Sequence, residues 1–177
     1  PVILYGEKGS GKSLMCQKMF EYGQDAGIIP EQALLQKYKV LEQDMQLAEQ
    51  LLGTEIKKGL LEQCEGGILY LTQAQNLSKH DQQLLMRILE DGGFIRGGNR
   101  ITLRARIILS LDEDYQKYLD YDLIQCFPII CRMPNLDERY QDDKEELIIH
   151  FFKLQSWKLG RYLFVSKNLI HILLTRT

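Results

Sequence analysis

The first thirteen residues leave the chain little freedom in how it folds. Pro1-Val2-Ile3-Leu4-Tyr5 is an apolar, strand-forming run that leads directly into Gly6-Glu7-Lys8-Gly9-Ser10-Gly11-Lys12-Ser13, and a helical stretch from Leu14 to Tyr22 follows at once. A strand, a glycine-rich turn closing on Gly-Lys-Ser, and a helix make up the G-x-x-x-x-G-K-[ST] phosphate-binding loop in the setting that it requires. The glycines allow several backbone N–H groups to converge on phosphate oxygens, and the start of the helix adds partial positive charge at the same point. In this reading Lys12 reaches the terminal phosphates of a nucleotide and the Ser13 hydroxyl ligates magnesium.

Composition limits what surrounds that loop. With 177 residues, 45% of them hydrophobic, and a net charge of -2, the chain suits one modest nucleotide-binding domain with a sizeable core. A slightly acidic balance argues against gripping DNA through its own surface, so any DNA contact is expected from residues outside this chain. Cys16, Cys64, Cys126 and Cys131 lack paired C-x-x-C spacing and read as reduced packing residues of a cytoplasmic protein. His80, His150 and His171 are scattered, with neither metal nor triad spacing. No signal peptide or apolar run of membrane-spanning length is present, so no membrane partner is expected.

Further along, the polar region from Ala26 to Gly59 reads as helical. Gly66-Gly67-Ile68-Leu69-Tyr70-Leu71 reads as a buried strand entered from a turn, and Ser78-Lys79-His80-Asp81 as a helix start with Ser78 as its cap. Leu84, Leu85, Ile88 and Leu89 form one apolar helix face that stops at Asp91-Gly92-Gly93. Ile101-Thr102-Leu103 and Arg106 to Leu111 read as two more strands. Strands alternating with helices point to an α/β fold, a parallel sheet flanked by helices. Helices are expected again from Lys144 to Trp157 and from Ser166 to Leu174. Asp142-Asp143-Lys144-Glu145-Glu146 fits an acidic first helical turn stabilised by the dipole.

The order of these pieces carries a resemblance. Gly66 to Gln73, the stretch Gln83-Leu84-Leu85-Met86-Arg87-Ile88-Leu89-Glu90-Asp91-Gly92-Gly93-Phe94-Ile95-Arg96-Gly97-Gly98-Asn99-Arg100, and Arg106-Ile107-Ile108 strongly resemble the AAA+ domain of bacterial enhancer-binding transcription regulators, the NtrC-like σ54 activators. Pro134-Asn135-Leu136-Asp137-Glu138-Arg139 is similar to that family's turn into its lid. The resemblance implies a P-loop AAA+ core over residues 1–140 and a partial helical lid over 141–177. It also implies ATP or ADP with magnesium as ligand, and a homo-oligomer, dimer or ring. Further implied partners are RNA polymerase, and DNA bound through a helix-turn-helix outside this chain.

The departures from that pattern carry as much information. Where the family has Asp-Glu at the end of the second core strand, this chain has Thr72-Gln73, so the magnesium-holding and water-activating charges are lost. Thr72 retains a hydroxyl for a magnesium-bound water, which makes magnesium binding weak. The family's sensor Asn aligns with Asp112, whose negative charge would disfavour a γ-phosphate. Gln125 stands at the position of an interface arginine, and Gly53 to Gly59 is too short to hold the family's σ54-contacting Gly-Ala-Phe-Thr-Gly-Ala loop. These losses describe a degenerate module, not an enzyme beyond residual hydrolysis, and similar to VpsR-type biofilm regulators, whose effector is cyclic di-GMP. An alternative is a working P-loop ATPase in which Glu65, Glu90 or Asp91 supplies the missing acid. Arg96, Arg100, Arg104 and Arg106 are dense enough to line a subunit interface or bind an anion, and equally compatible with a solvated strand face.

Overall fold

The computed structural model describes residues 1–175. It divides into two compact units, one from Pro1 to Met133 and a second starting at Pro134. The first unit is built on β1 (Val2–Tyr5), β2 (Leu35–Lys39), β3 (Ile68–Thr72), β6 (Arg106–Leu111) and β7 (Ile129–Arg132), and a hairpin of β4 (Gly93–Arg96) and β5 (Asn99–Thr102). Its helices are α1 (Lys12–Asp25), α2 (Leu47–Leu52), α3 (Leu60–Gln63), α4 (Lys79–Glu90) and α5 (Tyr121–Gln125). The five longer-range strands pair in the order β2-β3-β6-β1-β7, parallel at every junction.

Alternation along these strands sorts the core into two layers. Leu69, Leu71, Ile107, Leu109 and Leu111 pack on one face with Leu47 and Leu51 of α2, Leu61 of α3, Leu85 and Ile88 of α4 and Leu123 of α5. Val2, Leu4, Ile68, Tyr70 and Ile108 pack on the other with Cys16 of α1. Burial on both faces is why the inner strands read as continuous apolar runs. The same burial pushes the Cys16 thiol up to about 12 and the Cys64 thiol up to about 11.

α4 starts as its sequence predicts. Ser78 Oγ accepts from the Asp81 N–H at 3.2 Å, and the Asp81 carboxylate accepts from the Ser78 N–H at 3.3 Å, a reciprocal capping box. The region from Ala26 to Gly59 corrects the helical expectation, because it contains the edge strand β2. Lys37 and Lys39 interrupt what would be its apolar positions, and main-chain pairing with β3, Leu35 beside Ile68 through Lys39 beside Thr72, overrides the weak local signal. Ile101-Thr102 lie in a strand as expected, but β5 starts at Asn99 and pairs antiparallel with β4, outside the parallel sheet. β7, which the sequence reading passed over, closes the far side of β1.

The second unit contains α6 (Gln141–Leu159) and α7 (Lys167–Thr175). Asp142 and Asp143 lie in the first turn of α6, and Gly160 ends it in the left-handed conformation at φ 59°. The turn that precedes α6 is tied by Asn135 Oδ1, which accepts from the Glu138 N–H at 2.9 Å.

Two stability outcomes follow from this packing. Leu109→Ala, at a fully buried site on the central strand, is expected to cost about 2–5 kcal/mol in denaturant unfolding, whereas Ser78→Ala is expected to cost about 1 kcal/mol. The raised thiols favour the neutral form in the folded state. Their contribution is therefore complete below the usual thiol value of about 8.5 and is lost as pH climbs towards the folded values, so the unfolding midpoint should fall across that alkaline window and fall less in Cys16→Ala.

Candidate functional site

The carboxyl ends of β1, β3 and β6 meet at one edge of the parallel sheet, where open α/β folds bind their ligands. Gly6 leaves β1 with φ 145°, and a Cβ there would lie 2.3 Å from the Met133 carbonyl oxygen, so this first loop position admits only glycine. Gly11, left-handed at φ 93°, is the N-cap of α1 and contributes no capping side chain. The N–H groups of the first turn of α1 therefore lack a side-chain cap, and no acidic residue stands in that turn.

Strand parity brings the other residues to the loop. Tyr70 and Thr72 of β3, Ser110 of β6 and Asp112 beyond it, and Lys37 and Lys39 of β2 line a cleft of about 400 Å³ with Lys8, Gly9, Gly11, Lys12, Ser13, Leu14 and Gln73. Of the predicted loop residues, Gly6, Glu7 and Ser10 shape the turn from outside that lining, with the Ser10 N–H donating to the Glu7 carbonyl at 3.1 Å. Four lysines face a single carboxylate here, so the cleft is cationic although the chain as a whole is slightly acidic.

That carboxylate is committed. The Lys12 ammonium donates to the Gly6 carbonyl at 2.6 Å and the Glu7 carbonyl at 2.9 Å, and pairs with Asp112 Oδ1 at 3.0 Å. Three protons meet three acceptors in a side chain only 8% exposed. Asp112 thus acts through Lys12: an anion arriving at the loop competes with a carboxylate already in place.

Thr72 Oγ1 donates to the Tyr38 carbonyl at 3.3 Å, turning towards β2. Gln73 holds a left-handed backbone at φ 56°, uncommon for a residue with a side chain and a conformation that costs roughly 1–2 kcal/mol. Ser13 Oγ receives a hydrogen bond from Lys37 Nζ at 3.3 Å and shares another with Tyr70 Oη at 3.4 Å. Burial pushes the Tyr70 phenol above its ordinary range, against hydrogen bonds to Ser110 and Ser13.

Glu65, Glu90 and Asp91 do not line the cleft. Glu65 instead pairs with Arg104 at 2.9 Å, so the structure does not bring a substitute acid to Ser13 from those positions. No group of three or more His, Cys, Asp or Glu side chains suited to a metal ion occurs among the described residues. Arg100 and Arg104 line one cavity with Glu62 and Glu65, and the four arginines bond to different partners. Arg96 bonds the Leu52 carbonyl and Glu62, Arg100 the Asp91 carbonyl, Arg104 Glu65, and Arg106 the Gly66 and Ile28 carbonyls. Gln125 is exposed at the end of α5, away from the cleft lining. All four cysteines are free, Cys16 and Cys64 buried. Among the described residues no helix is long and apolar enough to cross a membrane.

Lys37 and Lys39 were missed by sequence reading. The available signal was period-two alternation, Leu35, Lys37 and Lys39 against Gln36 and Tyr38, running beside the strand that ends in Thr72.

Comparison with known proteins bears on the family and the fold. The chain is 26% identical to the transcriptional regulatory protein DagR of Salmonella typhimurium over 99% of its own length and 20% of DagR. It is 27% identical to the DNA-binding transcriptional regulator NtrC of the same species over 96% of its length and 38% of NtrC. It therefore spans well under half of these relatives. The crystal structure of NtrX from Brucella abortus in complex with ADP superposes with a TM-score of 0.76 at 24% identity, covering 98% of this chain and 40% of that one, which establishes the AAA+ fold. A family model, the Sigma-54 interaction domain, matches residues 1–125, and the chain belongs to that family.

Proposed function

We propose that this domain is the central AAA+ module of a cytoplasmic bacterial transcription regulator, in which the P-loop cleft binds ATP or ADP to control oligomerisation and the engagement of DNA and polymerase, without efficient hydrolysis. The observation that carries the reading is the pairing of Lys12 with Asp112 beside the uncharged Thr72-Gln73. The loop keeps its backbone cradle and its ammonium, while the carboxylate that lines the cleft, Asp112, is paired with Lys12 and so is poorly suited to take a proton from an attacking water. The ADP bound to the structurally similar NtrX supports the ligand class. Lys12 and Ser13 hold the phosphates in this reading, and Gly6 to Gly11 supply the loop that approaches them.

The segment expected to replace the σ54-contacting loop supports a module that does not drive σ54-dependent opening. Gly53 and Lys58 form an isolated antiparallel bridge, and the Thr54 N–H donates to the Lys57 carbonyl at 2.9 Å. The turn is tight, with Ile56 fully exposed at its tip, and too short to extend towards a partner. The core expected over residues 1–140 corresponds to the unit from Pro1 to Met133, and the partial lid expected over 141–177 to the unit that starts at Pro134, with oligomer contacts, DNA and RNA polymerase reached through the larger protein.

Calorimetric titration of the intact protein with ATP, ADP and cyclic di-GMP, run beside a phosphate-release assay, tests the proposal. Binding of ATP or ADP with phosphate release no faster than in Lys12→Ala is the expected result; preference for cyclic di-GMP would name a different effector. Steady release that vanishes in Lys12→Ala would return the domain to the working ATPases. Two substitutions sharpen the outcome. Lys12→Ala should weaken ATP binding by about 1.5–3 kcal/mol, and Asp112→Asn, by releasing Lys12, should tighten it about three- to tenfold.

A further inference from the structure

We propose that Lys37 takes the place of a divalent cation in this cleft, so that the domain binds nucleoside di- and triphosphates without magnesium. The inference rests on the nucleotide-binding reading above and specifies its chemistry.

Magnesium is held through oxygen ligands in a near-ideal octahedron at about 2.0–2.1 Å, and carboxylates usually supply part of that shell. The donor set here does not fit the ion. Ser13 Oγ is its natural anchor, and the groups already on that oxygen are the Lys37 ammonium at 3.3 Å and the Tyr70 phenol at 3.4 Å. Thr72 is neutral and bonded to the Tyr38 carbonyl, and Asp112 is held by Lys12. A doubly charged ion bonded to Ser13 would face the Lys37 ammonium with no uncommitted lining carboxylate to offset the repulsion.

The ammonium answers the need that the metal would otherwise meet. Register places Lys37 beside Tyr70 and Lys39 beside Thr72, both at the position of a strand whose side chains turn towards the phosphate loop. Lys37 is exposed and long, and lies 5.9 Å from the Tyr70 ring centroid, over a phenol rather than a carboxylate. It brings positive charge and three donors that a phosphate oxygen accepts, and it can swing from Ser13 onto the β- or γ-phosphate without unfolding β2. Lys8 and Lys39 add to the same field. Lys12 and Lys37, which line the same cleft, would then both hold the phosphates.

Titration of the intact protein with ADP and with ATP, in EDTA and again in millimolar magnesium, tests this directly. The affinities in the two buffers should agree within about twofold, and Lys37→Ala should weaken binding in EDTA at least about tenfold while Lys37→Arg keeps most of it. Because residue 37 is exposed, circular dichroism should show both variants folded, and Lys37→Gln serves as a second neutral variant. Binding that tightens about tenfold or more on adding magnesium, or that survives Lys37→Ala unchanged in EDTA, would overturn the inference and leave nucleotide binding standing. Absence of binding in both buffers would instead overturn the nucleotide-binding reading itself.

Discussion

The register between β3, β6 and β1 decides what can meet the phosphate loop. Tyr70 lies beside Ile108 and Thr72 beside Ser110, while Leu4 lies beside Ser110 and Tyr5 beside Leu111. Alternation then sends Tyr70, Thr72, Ser110 and Asp112 towards α1 and the loop, and Leu69, Leu71, Leu109 and Leu111 into the opposite core. A slip of one residue would exchange the two sets, burying hydroxyls and a carboxylate among leucines. The polar floor of the cleft and the apolar core under it are therefore two outcomes of one pairing pattern.

Within that frame, the balance of charge is local. The cleft concentrates lysine although the chain carries a net charge of -2, and Arg96, Arg100, Arg104 and Arg106 are spent on carbonyls or on single carboxylates elsewhere. Lys12 is the most enclosed of the cationic groups there, and its bonds to Gly6 and Glu7 hold the loop in shape through the backbone. Asp112 completes that arrangement from the end of β6, so the charge of Lys12 is offset from within the protein. For any anion, displacing a carboxylate is a harder requirement than filling a vacant cationic hole.

Much of this was legible in the sequence, and the rest was obscured for identifiable reasons. The loop from Gly6 to Ser13, the buried strand ending at Thr72, the Ser78–Asp81 cap and the long helix after Pro134 follow local rules, and the structure has them where those rules put them. β2 escaped because an edge strand needs apolar residues on only part of its surface, and its lysines resemble a polar helix face. β7 is a four-residue run, too short for periodicity to distinguish from a loop. The Lys12–Asp112 pair joins positions far apart in the chain, and the Ser13–Lys37 contact joins a helix to an edge strand; neither leaves a trace in spacing. The arginines from Arg96 to Arg106 are close in sequence yet bond to different partners, two of them lining a cavity that also holds Glu62 and Glu65, an arrangement that spacing alone does not show.

The position of β2 has one more consequence. As the terminal strand of the sheet, it would present unpaired main-chain groups to any other extended segment, a route to strand addition and aggregation. Lys37 and Lys39, exposed on that border, are the kind of charge that natural sheets use to discourage such pairing. Two of the four lysines that make the cleft cationic thus also stand where charge guards a sheet edge against unwanted neighbours.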